Sequence, residues 1–357
     1  MNARPDPPRR RLLPRLALLV IAGAMAVVAA ELAYRVHLYG PRALTPEGMN
    51  SIRTVGEAGM TQAAAEWELR YELRPELHMR FKLARFQTNA HGLRDDPVER
   101  VKPTGGWRAA FVGDSYTMGS GVEHAALFHT RLESAWRAAN PDRSIECLNF
   151  GVAGYNLFAY VGLVRHRVMA FDPDLVVVCL ASNDFKQPHQ SPDLAPYEPR
   201  PLDHPFWRLR LFHPIGGPAA TRQAGLLPWP RTAPALAPSR GQRDSEGARR
   251  AAYVAEQLET LRELCAAQGT QLALVFLCHE TDAKYRRLGD EVEGHAKALG
   301  IPFFNTQPLF AGTQLAEFQI FPDDRHPNAA ANQRFAEGLG AFLADRGLTP
   351  ARPRSDG

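Results

Sequence analysis

Five short apolar runs, separated by helix-length segments, constrain this chain more than any other feature. They span 108–112, 145–149, 175–180, 272–277 and 301–305. Most are near-continuous in apolar residues, as expected of strands covered on both faces. Between and after them the apolar period changes to that of a helix. Val254, Leu258, Leu261 and Cys265 fall on one helical face, and Gly269 follows as a stop. Phe335, Leu339, Phe342 and Leu343 repeat the pattern before Gly347, and 127–139 reads as another helix. The alternation predicts an α/β protein, a three-layer α/β/α fold on a flavodoxin-like, doubly wound parallel sheet of about five strands. The chain has 357 residues, 45% of them hydrophobic and 22% charged. That suits one large domain with appendages and excludes a disordered chain.

The N-terminal appendage differs in kind. Five arginines and one aspartate in residues 1–15 account for the whole formal charge of +4. The remainder is neutral, which argues against a nucleic-acid partner. An uncharged stretch, 16–30, follows the basic block, and extending it to Tyr34 reaches roughly the length of a bilayer core. Residues 1–37 are therefore expected to be a signal anchor, with the basic end in the cytoplasm and the bulk outside it. Ala24-Met25-Ala26 offers a small-residue cleavage site, so a cleaved signal peptide is the rival reading.

Residues 38–106 form a lead segment ending in a linker. Positions 61–73 read as a short helix stopped at Arg74-Pro75, and 86–95 as a strand running into a turn. The unit from 107 to 348 carries the alternating pattern, and 349–357 are a polar tail. Within that unit, 186–247 contains 12 of the 29 prolines and has no period. It carries Phe206, Trp207, Phe212 and Trp229, and the functional expectation is a lid or substrate wall. Cys147, Cys179, Cys265 and Cys278 are too widely spaced for a zinc signature and read as buried small hydrophobes. His279-Glu280, His124, His129, His166 and His189 show no ligand spacing, so neither metal nor cofactor is expected.

The chemistry-bearing stretch is Gly113-Asp114-Ser115, between the first run and a helix. A hydroxyl there stands at the carboxyl end of a strand, where α/β sheets place reacting groups. A serine nucleophile needs an imidazole base, and the imidazole needs a carboxylate on its other nitrogen. His326, just before the last helix, can be the base. Asp323, three residues earlier, has the spacing to fold back onto it, and Asp324 is the nearby competitor. Oxyanion donors would come from Gly151 or Gly154 after the second run and from the Asn183 side chain after the third.

These blocks, in this order, resemble the SGNH hydrolases, also called the GDSL esterase/lipase superfamily. The matching residues are Gly113-Asp114-Ser115, Gly154, Ser182-Asn183-Asp184 and Asp323-Asp324-Arg325-His326-Pro327-Asn328. The resemblance implies a triad of Ser115, His326 and Asp323. It also implies an oxyanion hole of the Ser115 N–H, the Gly154 N–H and the Asn183 side chain. The lead segment, with 88–95, is similar to that of membrane-anchored bacterial members. Ala181 stands where the third block often has glycine, and Ala330-Ala331 where a helix glycine is common. Thr117 breaks the Gly-x-Ser-x-Gly pattern, which argues against an ordinary α/β-hydrolase elbow.

The expected reaction is acyl transfer, hydrolysing esters of short acyl groups such as acetyl on an exported carbohydrate or lipid. An O-acyltransferase on cell-envelope polysaccharide would use the same residues with an alcohol as acceptor. A non-enzymatic envelope binding protein on this fold is the third reading. Besides substrate, the expected partner is the cytoplasmic membrane, through the N-terminal segment.

Overall fold

The computed structural model describes residues 9–185 and 240–350, so most of the proline-rich 186–247 stretch and the tail beyond 350 lie outside the described residues. Before the sheet come helices α1 (Arg9–Tyr39) and α2 (Pro46–Ser51). Two hairpins follow: β1 (Thr61–Ala63) with β2 (Tyr71–Leu73), then β3 (His78–Phe81) with β4 (Ala84–Gln87). Then come β5 (Trp107–Gly113), α3 (Ser115–Met118), α4 (Phe128–Ala139), β6 (Ile145–Gly151), α5 (Leu157–His166) and β7 (Leu175–Leu180). The described chain resumes with α6 (Arg240–Ala266), β8 (Gln271–Phe276), α7 (Ala283–Ala298) and β9 (Phe303–Asn305). It closes with the hairpin β10 (Gln319–Phe321) and β11 (Asp324–Pro327), then α8 (Ala329–Asp345).

The five apolar runs become one parallel sheet in the order β6-β5-β7-β8-β9. Numbered along the sheet's own strands, that is the flavodoxin order, and the chain reverses direction between β5 and β7. Alternate residues of β5 feed opposite faces, as the strand period requires. Ala110 and Val112 pack with α5 and with Val254, Leu258, Leu261 and Cys265 of α6. Ala109 and Phe111 pack with Phe128, Leu132 and Trp136 of α4 and with Phe335, Leu339 and Leu343 of α8. Helices thus cover both faces, and β5 and β7 are buried along their whole lengths. All four cysteines are buried and free.

The expected helix over 61–73 is not there. Thr61–Ala63 and Tyr71–Leu73 pair as antiparallel strands. Tyr71 and Leu73 turn inward while Glu72 points out, and the Tyr71 hydroxyl donates to the Ala153 carbonyl at 2.7 Å. Packing against the core outweighs the modest helix propensity of the intervening residues. The lead segment as a whole joins the core, contributing Met60, Leu69, Phe81, Phe86 and Leu93.

Among the described residues one helix, Pro14–Tyr39, is long and apolar enough to cross a membrane. Its last two turns turn a face inward: Glu31, Arg35, Leu38 and Tyr39 are buried. Leu38 and Tyr39 pack with Ala43, Ile52 and Phe321, and the Tyr39 and Phe321 rings meet edge to face at 4.9 Å. The helix end is therefore seated on the β10–β11 hairpin.

Candidate active site

Ser115 is the first residue of α3, directly after β5. The turn is made possible by Gly113, where a Cβ would lie 2.0 Å from Thr117 Oγ1 and 2.9 Å from the Cys179 carbonyl oxygen. Asp114 caps α3, its Oδ1 accepting from the Tyr116 N–H at 2.8 Å. As the opening residue of the helix, Ser115 has a backbone N–H with no intrahelical acceptor. Asp114 is fully buried; burial raises its pKa, against the Tyr116 N–H, the charge of His326 and the Asn183 and Ser115 side chains. It shapes the turn rather than facing a substrate.

His326 stands on β11, at the same end of the sheet. Its Nε2 lies 2.8 Å from Ser115 Oγ. Its Nδ1 is hydrogen-bonded to Asp324 Oδ1, which also accepts the His326 backbone N–H at 3.2 Å. An acceptor at Nδ1 keeps the ring proton there and leaves Nε2 to accept from the serine hydroxyl. Burial pushes the Asp324 carboxyl up in pKa, but His326 and Lys82 outweigh it and hold the group well below the usual carboxylate range.

The carboxylate on the imidazole is therefore Asp324, not Asp323. The reason is the strand. Residues two apart on an extended segment share a face, so Asp324 and His326 point the same way. Asp323 sits in the tight turn between β10 and β11, and its Oδ2 accepts from the Tyr39 hydroxyl at 2.7 Å. Arg325 projects to the other side, to Glu280 at 2.9 Å. Pro327 ends β11, and Asn328 caps α8 by accepting from the Ala330 and Ala331 N–H groups.

The two glycines differ in packing. A Cβ at Gly151 would lie 2.2 Å from the Met118 nitrogen, so Gly151 is a contact residue under α3. Its N–H is already donated to Asn149 Oδ1 at 2.8 Å. Gly154 is exposed and has φ +84°, a conformation that favours glycine. Asn183 is exposed after β7, and its side chain favours the ionised form of the Asp114 carboxyl beside the nucleophile. Its loop is pinned by the buried Asp184, which accepts from the Ala181 N–H at 2.6 Å and the Tyr160 hydroxyl at 2.8 Å. Ser115, Gly154 and Asn183 thus follow β5, β6 and β7, at the switch point of the sheet.

Two braces escape a sequence reading. Arg94, fully buried, donates to the Met118 carbonyl at 2.6 Å and to the Gly119 and Val122 carbonyls, and it lies over the Phe86 ring. It closes the loop that leaves the nucleophile helix. Asp95 accepts the Asn149 N–H at 3.0 Å, and Asn149 Nδ2 donates to the Thr117 carbonyl at 3.0 Å. The histidines 124 and 129, isolated in sequence, are gathered here: ligand atoms of Asp95, His124 and His129 lie within 4.8 Å of one another. Asp95 is already engaged by Asn149, Asp96 and His124, and His129 is buried against Phe111 and Phe128.

A serine, an imidazole and a carboxylate in series, on a doubly wound sheet, define the site architecture of a serine hydrolase. The GDSL-like lipase/acylhydrolase family model matches residues 111–334, more than half of the chain, and the chain belongs to that family. It is accordingly a carboxylic ester hydrolase. A comparison with curated protein sequences finds no match. Among solved structures, a two-domain esterase active on acetylated mannans is similar at TM-score 0.43 and 16% identity, over 70% of this chain and 53% of that one. The chain therefore spans about half the length of that esterase. An acetylxylan esterase from Geobacillus stearothermophilus is similar at TM-score 0.42 and 16% identity, over 70% and 98%. A GDSL-like lipase from Bacteroides thetaiotaomicron is similar at TM-score 0.38 and 15% identity, over 67% and 88%.

Proposed function

We propose that the chain is a membrane-anchored serine esterase that removes short acyl groups, such as acetyl, from an exported carbohydrate or lipid. The observation that carries this reading is the continuous bond series Ser115 Oγ, His326 Nε2, His326 Nδ1, Asp324 Oδ1. Ser115 Oγ attacks the ester carbonyl as His326 Nε2 takes its proton. Asp324 holds the imidazole in the required tautomer and stabilises the imidazolium that forms. The oxyanion lies against the Ser115 and Gly154 N–H groups and the Asn183 amide. His326 then returns the proton to the leaving alkoxide, and water repeats the cycle on the acyl-enzyme. The N-terminal apolar helix and its basic flank support an anchored enzyme working outside the cytoplasm.

The test is hydrolysis of p-nitrophenyl acetate, and of acetylated sugars, by the full chain in detergent. Ser115→Ala is expected to abolish turnover and labelling by a fluorophosphonate probe. Turnover at the wild-type rate in that variant would remove the reading.

A further inference from the structure

Lys82 occupies an unusual place for a lysine. It is buried, its side chain only 7% exposed, and its ammonium lies 2.6 Å from Asp324 Oδ2 and 3.3 Å from His326 Nδ1. It reaches there from the turn between β3 and β4, 242 residues earlier in the chain. The backbone of that turn is also unusual. Lys82 and Leu83 have φ of 49° and 67°, left-handed values found in two-residue hairpin turns and normally supplied by Asn or Gly. Ser51 at the end of α2 compensates: its carbonyl accepts the Lys82 N–H at 2.6 Å and its hydroxyl accepts the Leu83 N–H at 3.1 Å. The lead segment thus holds a strained turn that directs one buried cation at one buried carboxylate.

We propose that Lys82 is a positioning residue for acyl transfer: its ammonium fixes the Asp324 carboxylate against His326 Nδ1, so the N-terminal segment completes a triad that the sheet domain alone leaves unfinished. This rests on the triad reading above. The carboxylate has two oxygens and two tasks. Oδ1 serves the imidazole, while Oδ2 faces protein and is satisfied by Lys82. Without the ammonium, Oδ2 is a buried acceptor lacking its partner, and the carboxylate, still ionised, rotates to find another donor. That rotation loosens the hold on the imidazole ring, which is what lowers kcat.

The role has a signature in pH. The charged or titratable groups around His326 are Asp324 and Arg325 on its own strand, Lys82 from the hairpin, Asp114 before α3, Tyr116 of α3, whose ring lies 5.5 Å away, and His279 after β8. Arg325 is engaged by Glu280. A cation beside Nδ1 opposes protonation of the ring. Removing it favours the imidazolium, so the base becomes available only at higher pH and the acid limb of kcat/KM moves up.

The experiment compares Lys82→Met, Lys82→Gln and Lys82→Arg in the full chain, with Ser115→Ala as control. Lys82→Met is expected to lower kcat on the order of 10–100-fold with KM for a small ester within about twofold, and to raise the acid limb by about half a pH unit or more. Lys82→Gln keeps a donor for Oδ2 without the charge; it should show the same upward shift, and it serves if the methionine variant does not fold. Lys82→Arg should restore the wild-type limb. Wild-type kcat in the two neutral variants overturns the proposal, and so does lost kcat with the acid limb unmoved. An inert Ser115→Ala beside wild-type-like Lys82 variants removes the lysine's role alone, whereas an active Ser115→Ala removes the triad.

Discussion

The two halves of the site are held by different physics. The nucleophile side grows out of the parallel sheet: Gly113 and Ser115 are fixed by β5, which is buried on both faces and flanked by apolar helices. The acid–base side sits on a two-stranded hairpin outside that sheet. Polar contacts from remote segments hold it: Lys82 on Asp324, Tyr39 on Asp323 and Arg325 on Glu280. Apolar burial places the serine, and buried charge places its base. The sharpest way to break this contrast is to exchange the adjacent aspartates. Asp324→Asn should lower kcat on the order of 10⁴-fold, because a neutral amide can donate to Nδ1, favouring the wrong tautomer, and cannot stabilise the imidazolium. Asp323→Asn exchanges the carboxylate that accepts from the Tyr39 hydroxyl for a neutral amide and should stay within roughly threefold. Reversed values in a steady-state assay would return the orienting role to Asp323.

The sheet side should respond in two separable ways. Asn183→Ala removes the amide we propose as an oxyanion donor and should cost on the order of 10²–10³ in kcat with little change in melting temperature. Leu258→Ala removes a fully buried side chain of α6, far in role from the chemistry. It should destabilise by about 2–5 kcal/mol while kcat at a permissive temperature stays within about twofold. A large kcat loss in the Leu258 variant would mean that the sheet core is less independent of the site than its packing implies.

The same contrast explains what the sequence made legible. The five strands, their order class and the helical faces of α6 and α8 follow from apolar periods, because burial on a regular element leaves a regular trace. The positions of Ser115, Gly154 and Asn183, just after β5, β6 and β7, inherit that legibility. Asp324 lacks it, because nothing in the apolar pattern marks 324–327 as a strand. Once 324–327 is a strand, the i, i+2 spacing selects Asp324 over Asp323. Lys82 and Arg94 leave almost no trace. A lysine among charged surface residues looks like any other until a hairpin 242 residues away in sequence is folded against it. The helix expected over 61–73 failed for a related reason: Tyr71 and Leu73 are ordered by contacts with distant residues, not by their neighbours.

The smallest expected effect probes the border between the two halves. His279 follows β8, is almost fully buried, and faces the Tyr116 and Phe310 rings. Burial, helped by the charge of His326, lowers its pKa to about 4. The unfolded chain therefore binds more protons than the folded one between the ordinary histidine value, about 6.5, and that lowered value. Its neutral form contributes fully above about pH 6.5; stability then falls as pH drops through the window. His279→Leu removes the titration while keeping an apolar side chain between Tyr116 and Phe310. The wild type should lose more melting temperature between pH 7 and pH 5 than the variant does. Asp324 does not confuse the comparison, because its folded pKa is depressed below the carboxylate range and its contribution disappears only at still lower pH. Equal losses in the two proteins would show that His279 is solvated in solution, and that the wall between sheet and hairpin is more open than its packing indicates.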